Sequence, residues 1–277
     1  MSPIRLVAMD MDGTLLDEKR RIPEPVAQRI AELRQAGVIF TIATGRIYRS
    51  AMPYAQQLEL KAPLITCNGA LIRHPENGPI LHHRRLDAQQ VISLLQWLKG
   101  KSSDALRYSF HGDDVFTDRT HEYTASYERA LGLSFHFVDD LAAHLAGGPD
   151  RHPTMFVLMT DPAATPSMTQ EILEHLNGAV AITNSHDYFI EILHPEVSKG
   201  AALAQLAASL SIDQSEVMAI GDNHNDLSMI RWAGQGVFVA NAPEALHREA
   251  DYVTRARNSM GVLEALNRLF PPLSHVP

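Results

Sequence analysis

Apolar residues fall in short, nearly unbroken runs towards both ends of the chain, separated by stretches with helical spacing. Residues 4–9 are apolar but for Arg5 and predict a buried strand. Residues 24–36 set Val26, Ile30 and Leu33 on one helical face; Pro23 and Pro25 stand at its start, where a missing N–H costs nothing, and Gly37 ends it. Strand 38–43, helix 47–58 and strand 63–67 follow, the last closed by the turn signal Asn68-Gly69. Late in the chain the alternation resumes. Helix 199–210 carries Leu203, Leu206 and Leu210, then come strand 216–220, helix 225–233 closed by Gly234, strand 236–240 and shorter elements to Phe270. This alternation predicts a parallel sheet with helices on both faces.

The middle of the chain has a different rhythm. Helices are predicted at 87–98, 122–130, 139–145 and 167–176, and strands at 106–110, 115–117, 134–137, 154–159, 179–183 and 188–193. That is enough for a second α/β unit inserted in the first. Turn-rich stretches lie just before it, at 74–79, and inside it, at 147–150. The expected division is a core from 1–83 and 195–277 with an insert at 84–194. No internal repeat or low-complexity segment interrupts it.

Composition narrows the functional classes. Of 277 residues, 45% are apolar, which suits a buried core, and 24 basic against 32 acidic residues leave a net charge of −8. Such a surface repels nucleic acid and anionic membranes, so neither is an expected partner, and an anionic substrate needs a local holding device. The single cysteine, Cys67, allows no internal disulfide or metal knuckle and fits a reducing, cytoplasmic setting. Residues 4–9 are too short for a secretion signal, and no run reaches the length of a membrane span.

The chemistry gathers at strand ends, where open parallel sheets bind ligands. The first strand ends in Asp10-Met11-Asp12-Gly13-Thr14, the second in Thr44-Gly45-Arg46 and a later one in Gly221-Asp222-Asn223-His224-Asn225-Asp226. Taken singly, each has a bland explanation. Aspartates form turns, Asn and Asp cap helices, and Lys199 beside Ser198 is an ordinary surface lysine at a helix start. Together they place Asp10, Asp12, Asp222 and Asp226 in one cleft, and clustered carboxylates need a compensating cation. An all-oxygen set without Cys or His support favours a hard ion, with Mg²⁺ the usual one beside phosphate. Lys199, a helix N-terminus and the Thr44 hydroxyl would hold an anion. Carboxylate, metal, lysine and hydroxyl make a phosphoryl-transfer site.

At this point the chain resembles the haloacid dehalogenase superfamily, and within it the Cof-type group of sugar-phosphatase-like proteins. The similarity covers essentially the whole chain, through 10–16, Thr44-Gly45-Arg46, Ser198-Lys199-Gly200 and 221–229, with Asn68-Gly69-Ala70 and Asn241-Ala242 also in the group's pattern. The resemblance implies a Rossmann-like, doubly wound α/β core with an inserted α/β cap that closes over the cleft and chooses the substrate. It implies that Asp10 is the nucleophile and Asp12 the acid/base. Asp10, the Asp12 backbone carbonyl and Asp222 would hold Mg²⁺, and Thr44, Gly45, Lys199 and Asn225 the phosphoryl group. Asp226 would support Lys199 or the metal shell, and Arg46 would face substrate or cap. Sequence spacing alone does not separate nucleophile from acid/base. Two departures from the group's pattern are Ala240 in place of a glycine and the lack of an acidic pair before Gly261.

The expected activity is hydrolysis of small phosphate esters, with sugar phosphates, pyridoxal phosphate and flavin mononucleotide as plausible substrates by resemblance, in a monomer or small homo-oligomer. A sugar phosphomutase and a non-catalytic phosphometabolite-binding protein are the alternatives. Other residues add little. His82-His83 would point to opposite strand faces, His224 occupies a variable position of its motif, and Cys67 ends a buried strand. The segments 108–113 and 184–188 are polar and aromatic loops that either reach substrate or are solvated turns.

Overall fold

A computed structural model of the chain describes residues 3–101 and 104–271. β1 (Leu6–Met9) leads through α1 (Glu24–Gln35) to β2 (Ile39–Ile42), α2 (Tyr48–Gln57) and β3 (Leu64–Thr66), and β4 (Leu71–Arg73) and β5 (Ile80–His83) fold back antiparallel on β3. The middle segment contributes α3 (Ala88–Gly100), β6 (Leu106–His111), β7 (Asp114–Thr117), α4 (Thr124–Leu131), β8 (His136–Phe137), α5 (Leu141–Leu145), β9 (Met155–Met159), α6 (Thr165–His175), β10 (Ala181–Thr183) and β11 (Phe189–Leu193). The chain closes with α7 (Lys199–Ser209), β12 (Val217–Gly221), α8 (Leu227–Trp232), β13 (Gln235–Phe238), β14 (Tyr252–Val253) and α9 (Asn258–Leu269).

Five strands in the order β14-β13-β12-β1-β2 form an all-parallel sheet. Ala43 bridges in parallel to Ile65, which sets β3 beyond β2 and completes a doubly wound order. The order reverses between β1 and β12, which pair from Leu6–Val217 to Met9–Ile220. Both strands are buried on both faces, which is why they read as continuous apolar runs. Alternation sends Val7 and Met9 towards Val26, Ile30, Val262 and Leu266, and sends Leu6 and Ala8 towards Leu203, Leu206, Met229 and Ile230. Each of these side chains except Ala8, fully buried, contributes roughly 1.5–3 kcal/mol.

The middle segment forms a six-stranded sheet, β10-β11-β9-β6-β7-β8, antiparallel except between β7 and β8. Leucines of α3 and α5 and Ile172 of α6 cover one face. The other face, with Tyr108, Phe110, Val157 and Leu193, packs on Ile47, Cys67 and Ala70 of the core. This sheet therefore lies as a cap over the carboxyl ends of the core strands.

Three details depart from the sequence reading. The stretch 74–79 is the turn of the β4–β5 hairpin, whose strands are too short to show an alternation. The helix read at 225–233 begins at Leu227, because His224–Asp226 forms a tighter turn first. The closing segment holds a twelve-residue helix, α9, which buries Val262, Ala265 and Leu266 against the core.

Candidate active site

Asp10 follows β1 directly, and its N–H donates to the Ile220 carbonyl of β12 at 2.9 Å, so it stands at the point where the strand order reverses. A tight turn over Met11–Leu15 then carries Asp12 in extended backbone and Gly13 in the left-handed region, at φ 81°. A Cβ on Gly13 would stand 2.3 Å from Asp222 Oδ2, so only glycine permits this approach. Thr14 Oγ1 donates to Asp222 Oδ1 at 2.8 Å.

Lys199 opens α7 behind the N-cap Ser198, whose hydroxyl accepts from the Ala201 N–H. It is fully buried, which excludes the surface-lysine reading. Its Nζ donates to Asp10 Oδ1 and Asp226 Oδ1, both at 2.6 Å. Asp226 Oδ2 in turn accepts the N–H groups of Asp222 and Asn223 at 2.9 and 3.0 Å. Both Asp226 oxygens are thus engaged, whereas Asp10 Oδ2 has no protein hydrogen bond among the described residues.

On the neighbouring strand end, the Thr44 N–H donates to Ile65 O and its hydroxyl accepts from the Arg46 N–H at 3.1 Å. Gly45 lies against the Asn68 amide. The Arg46 guanidinium forks onto Asp12, with Nε–Oδ2 at 2.6 Å and Nη2–Oδ1 at 2.5 Å. The guanidinium is therefore committed by hydrogen bonds to an aspartate of the core, while its charge is still felt at His186 of the cap. Asn225 donates to Asn68 Oδ1 at 3.1 Å. Asp10, Asp12, Thr44, Gly45, Arg46, Asp222 and Asn225 line one cleft of about 390 Å³, with Lys199 and Asp226 buried beneath it.

The electrostatics of this cleft call for a cation. Burial pushes the Asp10 carboxyl well above the usual range; Lys199 pulls it back, and Asp226 and Asp222 add repulsion. Burial and the neighbouring Asp226 raise Asp222 to about 7. Carboxylate oxygens of Asp10, Asp222 and Asp226 lie within 4.8 Å of one another. Among the described residues, Asp226 already accepts from Lys199 and two N–H groups, whereas Asp10 accepts only from Lys199 and Asp222 only from Thr14 and Asn241, so Asp10 and Asp222 keep the most capacity for a cation. An all-oxygen, negatively charged donor set of this kind fits a hard divalent cation.

Asn68 and Asn241, marked in the sequence only as parts of short motifs, and Glu191, which no motif marks, complete the site. Asn241 donates to Gly13 O at 2.9 Å and to Asp222 Oδ2 at 3.2 Å, and accepts from the Asn258 N–H. It thereby ties the end of β13 and the start of α9 to the turn after β1. Asn68, in left-handed backbone at φ 54°, donates to Glu191 Oε2 of β11 at 3.1 Å. Ser185 donates to the other oxygen of Glu191 at 2.8 Å. The loop 184–188 reaches the cleft through Ser185, His186 and Tyr188. The stretch 108–113, read from sequence as a loop, is instead the end of strand β6 and its tight turn into β7. Phe110 lines the cleft, while Asp113 accepts from the Arg49 N–H at the start of α2. His224 is exposed and outside the lining, and His83 bonds to Thr154.

The chain is similar to known proteins over nearly its whole length. A family model described as haloacid dehalogenase-like hydrolase matches residues 7–266. A Bacillus subtilis (strain 168) protein with the provisional name phosphatase YxeH is 32% identical over 272 residues, covering 96% of this chain and 98% of that one. The 5-amino-6-(5-phospho-D-ribitylamino)uracil phosphatase YcsE of the same organism is 30% identical over 265 residues, covering 95% and 94%. A crystal structure of a haloacid dehalogenase-like hydrolase from Bacteroides thetaiotaomicron superposes with a TM-score of 0.83 at 25% identity, covering 96% of this chain and all of that one.

Proposed function

The chain belongs to the haloacid dehalogenase-like hydrolases and is a phosphatase, and from that premise we propose that it hydrolyses small phosphorylated metabolites with Mg²⁺ through an aspartyl-phosphate on Asp10. The observation that carries this reading is the state of Asp10. One oxygen is pinned by the buried Lys199, and the other carries no protein hydrogen bond among the described residues. A carboxylate so held is oriented to attack.

In the first half-reaction Asp10 Oδ2 bonds to phosphorus while the ester P–O bond breaks, and Asp12 gives its proton to the departing oxygen. In the second, Asp12 takes a proton from water, the resulting hydroxide displaces Asp10 from phosphorus, and inorganic phosphate leaves. Arg46 forks both oxygens of Asp12 in the observed arrangement, so that fork opens before Asp12 carries a proton. Thr44, Gly45, Lys199 and Asn225 bind the phosphoryl oxygens, and Asp226 positions Lys199. Asp10, the backbone carbonyl of Asp12 and Asp222 would hold Mg²⁺, which when bound offsets the repulsion between carboxylate and phosphate.

We assign residues 84–194 to the cap and the remainder to the catalytic core. Substrates within reach are sugar phosphates, pyridoxal phosphate and flavin mononucleotide. The name of the relative YcsE, a phosphatase of a phosphoribitylamino-uracil, also points to a small metabolite. Among the described residues no helix is long and apolar enough to cross a membrane, and with a single buried cysteine we place the enzyme in the cytoplasm. The test is phosphate release from p-nitrophenyl phosphate and a sugar-phosphate panel, with Mg²⁺ or with chelator. Release that requires the metal is expected. Isomerised sugar phosphate without free phosphate would indicate a mutase, and ligand binding without turnover of any ester would indicate a binding protein.

A further inference from the structure

The phosphate end of the cleft is acidic and polar, but the cap wall opposite it is apolar. Phe110, Tyr127, Leu131, Met155 and Phe189 line it. Two of the polar groups the cap contributes, Ser185 and Glu191, are committed to each other and to Asn68 and Asn223 of the core, while His186 and Tyr188 stand at the mouth. Ser185 Oγ donates to Glu191, whose other oxygen accepts from Asn68, and the Ser185 carbonyl accepts from Asn223 at 3.2 Å. The hydroxyls of a hexose set against this wall would lose water and find few partners. A flat heteroaromatic ring carries fewer such groups to desolvate and would gain face and edge contacts.

The wall is also held in place by its own packing. The Tyr127 ring meets Tyr108 at 5.1 Å and 70°, Phe135 at 5.5 Å and 75°, and Phe189 at 5.4 Å and 37°. At the mouth His186 and Tyr188 stack at 5.3 Å and 6°. A cleft of about 390 Å³ suits a phosphate ester of a single ring. Tyr127, Tyr188 and Phe189 continue into an adjoining groove of about 910 Å³, which leaves room for ring substituents.

Resting on the phosphatase reading above, we propose that the cap selects phosphate esters whose leaving alcohol carries a planar heteroaromatic ring, seated against Tyr127 and Phe189 and covered at the mouth by His186 and Tyr188. Polyhydroxylated sugars are then the poorer substrates of this enzyme.

The test compares kcat/KM for pyridoxine 5′-phosphate and glucose 6-phosphate. Both are primary alkyl esters, so their P–O bonds are closely matched and the ratio reports the leaving group's fit. The wild-type ratio is expected to favour the ring by about tenfold or more, and Tyr188→Ala and Phe189→Ala each to lower it several-fold. A ratio taken within one preparation does not depend on how much of a variant is folded. Equal or better turnover of glucose 6-phosphate, or a ratio unmoved by both substitutions, would overturn the inference alone. No turnover of any ester, p-nitrophenyl phosphate included, would overturn the phosphatase reading together with it.

Discussion

Glu191 sits at the floor of the cleft, almost fully buried, with Ser185 and Asn68 as its donors. Burial pushes its carboxyl up to about 7 from the ordinary 4.5, against the partial relief of those two hydrogen bonds. The folded state therefore holds the proton more tightly than the unfolded chain. Stability from this group is fully present below about pH 4.5 and lost as pH rises through about 7. Between pH 5 and pH 8 the wild type should lose about 2–3 kcal/mol of unfolding free energy relative to Glu191→Gln. Urea unfolding of both proteins at the two pH values reads this difference, and other carboxylates cancel because both proteins share them. Lys199 presents the opposite situation, a buried cation that compensates two buried acids. Lys199→Met should cost about 3–5 kcal/mol, because it strands Asp10 and Asp226 without their partner. A denaturation midpoint within error of the wild type would refute that. At this scale the runs 10–14, 44–46 and 221–226 can be picked out in the sequence because their polar residues follow apolar strands. Glu191 cannot, and the motif that marks Asn68 gives no sign of its partner, since the two meet in a contact across 123 positions that no local pattern records.

The elements that hold the site are short turns after buried strands, and their glycines set its tolerance. Gly13 has φ 81°, and a Cβ there would meet the Asp222 carboxylate. Gly13→Ala should thus lower kcat/KM by about a hundredfold by displacing Asp222, while the backbone strain itself costs only about 1 kcal/mol. Steady-state kinetics beside a thermal melt separate the two effects, and an active, merely less stable variant would speak against the role given to Asp222. The strands β1 and β12 stand out in the sequence because burial on both faces keeps them apolar, and β2 breaks its apolar run only at Thr41. The hairpin β4–β5 and the edge strand β14 have only two to four residues each, too few to declare a period. Helix α9 has the stripe Val262, Ala265 and Leu266, but its N-cap is Arg257, and the cap-type residues Asn258 and Ser259 lie inside the helix, so its start departs from the usual sequence signal.

For the whole molecule, the inserted cap is visible as a change of rhythm between two stretches of strand–helix alternation, and the structure lays it across the strand ends of the core. What the rhythm does not convey is the chemistry of the facing surfaces. The core supplies carboxylates, Lys199 and Thr44, and the cap supplies a mostly apolar wall. On the proposed function, that opposition divides bond breaking in the core from choice of leaving group in the cap, with Asp10 as its atom-level centre. The stereochemical course at phosphorus tests this centre most directly. An ester made chiral at phosphorus with oxygen isotopes is hydrolysed in isotopic water, and the configuration of the released phosphate is read. Two in-line displacements, first by Asp10 and then by water, predict net retention. Inversion would mean a single direct attack by water and would contradict Asp10 as the nucleophile.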